Sequence, residues 1–166
     1  MERVLNEGDF IVSKTDLKGK ITYVNKIFLD LAEYQEEELL GKPHNIIRHE
    51  SMPQIVFKLL WDRIQNKEEI FAFVINKSSK GNHYWVFANV TASLDKHGKI
   101  IGYYSVRRKP NPKAIEAIKP VYKLLLDAEK SAGGGKKGME ASFKILTDFL
   151  TDKGVSYDEL VLSLQK

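Results

Sequence analysis

The spacing of apolar residues predicts strands at both ends of the first two thirds of the chain, with helices between them. Two strands around a turn at residues 16–20 are followed by apolar positions at helical spacing over residues 26–40. Pro53 is then expected at the first position of a longer helix that ends near Lys67. Three longer strands with glycine-containing turns occupy residues 68–108. This order predicts the α+β class, with helices on one face of a five-stranded antiparallel sheet.

The last third of the chain has the pattern of amphipathic helices. Pro120 is expected to kink the first of them or to start a new helix. The glycine-rich stretch "SAGGGKKG" is typical of a flexible linker, and Ser156 with Glu159 predicts a capping box at the start of the last helix. The predicted segments are an N-terminal cap (1–8), a sensor-sized domain (9–110), an amphipathic helix (111–131), a Gly/Lys linker (132–138) and a helical hairpin tail (139–166).

Alternation along the long strands separates two faces of the predicted sheet. One face carries small and mid-sized residues that leave room for a flat ligand, and Asn76 is its polar exception. The other face is apolar, whereas a face in water would alternate to polar residues. We therefore expect the helix at 111–131, the N-terminal residues Val4 and Leu5, or a partner protein to cover it. The predicted partner-binding residues on this face are Phe71, Phe73, Ile75, Trp85 and Phe87.

Composition narrows the function classes. The net charge is only +4 and is spread along the chain, so a nucleic-acid partner is not expected. The chain has no cysteine, which excludes disulfides, a thiolate nucleophile and a cysteine zinc site. The four histidines form no pattern with serine and aspartate, so we expect neither an enzyme nor a metal site. No apolar run is long enough for a membrane helix, and we expect a cytoplasmic protein without direct membrane insertion.

The segment "GKPHNIIRHESMP", residues 41–53, concentrates polar rings and an arginine before a helix. Together with "VINKSSKGNHYWVFANV" and "IIGYYSVR" it resembles the PAS domain of bacterial aerotaxis, or energy-taxis, receptors over residues 9–108. The resemblance implies a PAS fold that binds FAD non-covalently between the helices and the sheet. It also implies that the redox state of the flavin steers chemotaxis.

The resemblance also indicates which residues contact the cofactor. Arg48 and His49 match the family's Arg-His pair, and Trp61 matches its helix tryptophan. His44 is expected to face solvent. The family commonly has aspartate where this chain has Ser51, and Trp-x-Gly where it has Ile70 and Ala72. The predicted cofactor-binding residues are Arg48, His49, Trp61, Asn76, Asn25, Tyr84 and Asn45, the last also able to shape the loop.

The partner is also implied by the resemblance. One-chain receptors of this family continue into a membrane anchor and a signalling rod, and this chain shows neither. It therefore resembles the soluble PAS subunit of a bipartite energy-taxis receptor, held at the inner face of the membrane by a chemotaxis receptor-like signalling protein. A homodimer through the sheet face or the N-terminal cap is a further expectation.

Two other functions stay open at this point. One is a ligand-free PAS module for protein interaction, which the Ser51 and Ala72 departures favour. The other is a haem-binding PAS gas sensor, whose ligand would be His44 or His49. A photoreceptor that forms a flavin–cysteine adduct is excluded because there is no cysteine.

Overall fold

The computed structural model describes residues 1–166 and confirms the predicted α+β class. The five strands form one antiparallel sheet in the order β2-β1-β5-β4-β3. No helix is long and apolar enough to span a bilayer. The strands are β1 (Ile11–Thr15), β2 (Ile21–Val24), β3 (Ile70–Lys77), β4 (His83–Leu94) and β5 (Ile100–Arg108). The helices are α1 (Lys26–Ala32), α2 (Glu36–Leu39), a 3₁₀ turn (His44–Ile47), α3 (Gln54–Gln65), α4 (Pro112–Ser131), α5 (Gly135–Lys153) and α6 (Tyr157–Gln165).

Local polar groups determine how the first helices leave the sheet. Asn25 caps α1, because its Oδ1 accepts hydrogen bonds from the backbone N–H groups of Phe28 and Val12. Its amide donates to the carbonyl of Phe10 at 2.8 Å. Pro53 precedes α3 as its N-cap, one position earlier than expected, and offers no side-chain oxygen to the helix.

The outer face of the sheet is covered by this chain's own C-terminal helices. The ring of Tyr122 on α4 lies 5.9 Å from that of Trp85. Leu5 is buried at the N-terminal side, whereas Val4 is exposed. The helix at 111–131, one of the covers expected from the sequence, therefore packs on this face, and the apolar helix faces exclude water from it. The covered residues, only Phe71 among them partly exposed, are Phe71, Phe73, Ile75, Trp85 and Phe87.

The same helices protect the free edge of β3, which is the last strand of the sheet. The hydroxyl of Tyr157 on α6 donates to the carbonyl of Phe71 at 2.8 Å, and that of Tyr122 donates to the carbonyl of Phe73 at 2.5 Å. Further along, the backbone N–H of Ile75 meets the sulfur of Met52 at 3.4 Å. An edge strand with its polar groups paired cannot recruit another strand.

Helix α4 runs without interruption through Pro120, so no new helix starts there. Proline removes the hydrogen bond to the carbonyl of Glu116, four residues earlier. Both residues are exposed, and water can pair with that carbonyl. Ile118 and Val121, on either side of the proline in sequence, are buried and anchor the helix to the core.

The predicted linker is largely helical. Helix α5 begins at Gly135, and only residues 132–134 connect it to α4. A Cβ atom at Gly138 would lie 2.9 Å from the carbonyl oxygen of Glu129, so glycine is needed where the two helices touch. The glycines predict a flexible linker from the sequence. In the structure they instead allow a tight turn and a close contact between the two helices. The tail from 139 contains the two expected helices, and the Ser156 hydroxyl accepts from the N–H of Glu159.

We predict that Tyr122→Phe destabilises the protein, because it leaves the Phe73 carbonyl buried without its hydrogen-bond donor. The expected loss in the free energy of unfolding is about 1–3 kcal/mol by urea denaturation. Tyr23→Phe is the matched control, since Tyr23 is exposed on β2 and should lose almost nothing. Equal effects in the two variants would contradict the role of this bond.

Candidate functional site

A cavity of about 270 Å³ lies between the inner face of the sheet and the segment formed by the 3₁₀ turn and α3. Cavities of this size are near the lower end of those that hold small ligands. One wall comes from α3, and the other comes from small and branched side chains of the sheet. The main apolar lining residues are Phe57, Leu60, Trp61, Val74, Ala88 and Val90.

Trp61 closes one end of the cavity. Its ring meets that of Tyr103 edge to face, with centroids 5.3 Å apart. Gly19, in the β1–β2 turn, has a φ of +81°, and a Cβ atom there would lie 3.2 Å from the indole. The turn can therefore approach the tryptophan only because glycine stands at that position.

Arg48 and Asn76, two of the cofactor contacts predicted from the sequence, both line the cavity. Their backbones form an isolated bridge that joins the end of the 3₁₀ turn to β3. The Arg48 guanidinium lies 4.6 Å from the ring centre of Phe57 and donates to the carbonyl of Met52. Burial lowers the pKa of Arg48, and the nearby Glu129 carboxylate opposes this change. Asn76 is only 4% exposed and lines the cavity.

Ser13, His44 and Arg107 form a hydrogen-bonded cluster in the cavity wall. Arg107 Nη2 donates to the Ser13 hydroxyl at 2.7 Å, and Nη1 donates to His44 Nε2 at 3.2 Å. Ser13 Oγ and His44 Nε2 are 2.9 Å apart. Because arginine can only donate, Nε2 must accept, which places the ring proton of His44 on Nδ1. The Ser13 hydroxyl then donates its own proton to the same nitrogen.

Burial dominates the electrostatics of this cluster. Desolvation, together with the positive charge of Arg107, lowers the pKa of His44 to about 3. Desolvation also lowers the pKa of Arg107, to about 10, so the guanidinium is still charged at neutral pH. The His44 side chain is therefore neutral and faces the protein. The expectation that it faces solvent is wrong, because the 3₁₀ turn directs it toward Phe28 and β1.

Three of the predicted cofactor contacts lie outside the cavity. His49 is 5.7 Å from the ring of His83, and its Nδ1 accepts from the backbone N–H of Ser51. Asn25 is engaged in capping α1, as described above. Tyr84 is buried in the core, where desolvation raises its pKa to about 12. Asn45 lines the cavity but is exposed at its rim.

The three substituted family positions, Ser51, Ile70 and Ala72, lie outside the cavity lining. Ser51 is exposed beside His49. Ala72 is 1% exposed, pairs with Ala88 across the strands and is packed into the core. None of these departures removes a side chain that lines this cavity.

Sequence reasoning missed Ser13 and Arg107. A signal was present, because Tyr103, Ser105 and Arg107 alternate along β5 and therefore share one face. All three line the cavity. An arginine on the inward face of a strand is uncommon and could have been recognised as a site residue.

An outer cleft of about 550 Å³ adjoins the cavity, and Arg48 lines both. His49 and Glu129 also line the cleft. The Glu129 carboxylate accepts from the backbone N–H groups of Gln54 at 2.8 Å and Ile55 at 3.2 Å. A residue of α4 thus caps the helix that carries Trp61, which has no cap of its own.

The depressed pKa of His44 predicts a pH-dependent stability. The unfolded chain binds a proton at His44 near pH 6.5, whereas the folded chain does so only near pH 3, so stability falls as the pH drops through this range. We expect the unfolding free energy of the wild type to fall more between about pH 7 and about pH 5 than that of His44→Gln. His97→Gln, which removes an exposed histidine, should follow the wild type. Parallel pH profiles for all three would contradict the prediction.

Comparison with known proteins agrees with this architecture. The chain is 38% identical to the aerotaxis receptor of Escherichia coli K12 over 121 residues, which are 73% of this chain and 24% of the receptor. It is 28% identical to the biofilm dispersion protein BdlA of Pseudomonas aeruginosa over 87 residues, 52% of this chain and 21% of that protein. The chain therefore spans about a quarter or less of these curated relatives.

Solved structures show the same fold at low sequence identity. A light-oxygen-voltage domain, described with a flavin analogue, has a TM-score of 0.59 and 19% identity, covering 69% of this chain and 86% of that one. The PAS domain of a protein from Colwellia psychrerythraea has a TM-score of 0.56 and 18% identity, covering 60% of this chain and 85% of that one. The family model described as the PAS fold matches residues 1–108. With its sheet, its helical segment and its cavity in this arrangement, the chain belongs to the PAS fold family.

Proposed function

We propose that the cavity binds the isoalloxazine ring of FAD and that the protein is a redox sensor in chemotaxis signalling. The observation that carries this proposal is a cavity with apolar walls and a polar pair, Arg48 and Asn76, at one side. A flat ring with apolar faces and a polar edge requires this distribution of groups. The sequence resemblance to aerotaxis-type PAS domains and the similarity to a light-oxygen-voltage domain point to the same ligand class.

The residues present fit a flavin. Trp61, Leu60 and Phe57 would cover one face of the ring, and Ala88 with its neighbouring valines the other. Asn76 can donate and accept through one amide, so it can pair with the ring edge before and after a change in protonation. When bound, the flavin would supply reversible electron uptake. Arg48 would offset the negative charge of the flavin or of its phosphates.

We propose that His49 contacts the part of FAD that lies in the outer cleft. There it lies beside Arg48, which lines both spaces. FAD as a whole is larger than the cavity, so its phosphates and adenosine would extend into the adjoining cleft. Arg48, Lys77 and Lys130 line that cleft and can pair with the phosphates. The contacts proposed for Asn25 and Tyr84 are indirect, through the position of α1 and the packing of the core.

The arrangement disfavours the haem alternative. His44 Nε2 already accepts from Arg107 and Ser13, and the adjacent guanidinium is a cation. His49 does not line the cavity. The open volume also disfavours a module whose cavity is filled by side chains.

In the proposed mechanism, a change in the cavity alters the C-terminal helices, and these helices contact a chemotaxis signalling protein. The aerotaxis receptor is named for that process, and this chain matches about a quarter of its length. Glu129 supplies the physical link, since it caps α3 and lies near Arg48. A shift of Arg48 or of the start of α3 would change the contact with α4. In the proposed complex the partner contacts the outer surface of α4 and α5 in the cytoplasm, and the chain acts as a sensor rather than an enzyme.

We predict that protein purified with added FAD shows a flavin absorption spectrum that bleaches on reduction. Asn76→Ala should weaken FAD binding about fivefold to tenfold, the effect of losing one or two hydrogen bonds. Asn89→Ala is the control, because Asn89 lies on β4 and bonds Glu69 and Ile70 rather than lining the cavity. Colourless protein that takes up no FAD would refute the proposal, and a haem spectrum would favour the gas-sensor reading.

We predict that Glu129→Ala uncouples the tail from the cavity. In the wild type, hydrogen exchange in α4 and α5 should differ between oxidised and reduced FAD samples. The variant should keep FAD but lose this difference, because no carboxylate then joins α4 to α3. Glu116→Ala, an exposed residue of the same helix, should behave as wild type. A tail difference that persists in Glu129→Ala would rule out this link.

A further inference from the structure

Arg107 is a buried cation without an anionic partner. It is 3% exposed, and none of its contacts is a carboxylate. Its other neighbours are the ring of Phe28, whose centre is 5.0 Å from the guanidinium, and Tyr84, which is near enough to favour the charged form. Burying a charge without a counter-ion is unfavourable, so such groups are uncommon in protein interiors.

The Arg107 Nε–H is the one buried side-chain polar group found without a hydrogen-bond partner in the chain. Native proteins pair nearly all such groups, so an unpaired one requires an explanation. Arg107 also lines the cavity. Ser13 and His44 bond its two terminal nitrogens and therefore hold the side chain in one orientation.

We propose that Arg107 is the counter-ion of this cavity and that it stabilises negative charge on the bound ligand, so that it favours the reduced flavin over the oxidised one. This inference rests on the proposed function. Uptake of two electrons and one proton adds one net negative charge to the ring system. Arg107 keeps its own proton throughout and stabilises that negative charge by electrostatic attraction. Arg107 is thus the cation of an anion subsite, and Ser13 and His44 hold it in position.

The effect follows from differential binding. A group that interacts equally with both redox states cannot shift the balance between them. A fixed cation in a low-dielectric wall interacts more strongly with the negative state. The Ser13 and His44 bonds keep the guanidinium in place, so little of this attraction is lost in reorienting it. Arg48 is only partly buried and its charge is partly offset by Glu129, so it contributes less to the difference.

The test compares midpoint potentials of the full chain reconstituted with FAD and titrated anaerobically with dithionite against a reference dye. The equilibrium constant for reduction of the bound FAD should be at least tenfold lower in Arg107→Gln than in the wild type. For a two-electron couple this corresponds to a potential lower by about 30 mV. Arg107→Lys, which keeps the charge, should lie closer to the wild type. Arg108→Gln is the matched control, since Arg108 makes the same charge change one residue away, in the exposed end of β5.

A second measurement separates this role from a structural one. In FAD-free protein, Arg107→Gln should be at least as thermally stable as wild type, because it removes an uncompensated buried charge. Equal potentials in Arg107→Gln and wild type would overturn the inference while leaving the proposed function intact. Loss of both stability and FAD uptake in Arg107→Gln would make Arg107 a structural residue and would also overturn it. Wild-type protein that takes up no FAD would overturn the proposed function itself.

Discussion

Both faces of the five-stranded sheet are apolar, and the need to keep water from both of them shapes the rest of the molecule. The helices from α1 to α3 cover the inner face, and α4 with α6 covers the outer one. Small side chains on the inner face leave a cavity under α3. Large aromatic side chains on the outer face leave no such space, and the tyrosines of α4 and α6 also pair the free edge of β3. The same sheet therefore has a cavity side and a packing side.

Covering the outer face has a consequence for signalling. The C-terminal helices are packed into the core, so they respond to changes in it. Helix α4 begins after β5, packs on the outer face through Tyr122 and ends where Glu129 caps α3. The tail thereby contacts the outer face of the sheet and the helix that lines the cavity. In the proposed function, the chain reports the state of its cavity at the surface of α4 and α5.

Charge in the cavity is arranged asymmetrically. Arg48, near the rim, has Glu129 nearby and a carbonyl to bond. Arg107, deeper in the wall, has only neutral acceptors and an aromatic face. His44 accepts from Arg107 because burial and the adjacent cation keep it neutral. One cation thus has a carboxylate nearby, and the other has no counter-ion within the chain.

The sequence by itself determined the fold class and the two faces of the sheet, and it singled out Asn76, Trp61 and Arg48, which line one cavity. It could do so because strand alternation and local motifs are properties of neighbouring residues. Only the tertiary structure decided which polar side chains meet. His44 and His49 are five residues apart, yet the 3₁₀ turn directs one to the cavity wall and the other to the outer cleft. Ser13 and Arg107 are brought together by the pairing of β1 with β5, and Glu129 reaches α3 across 75 residues of sequence. Such contacts depend on strand order and helix packing, which no local pattern specifies.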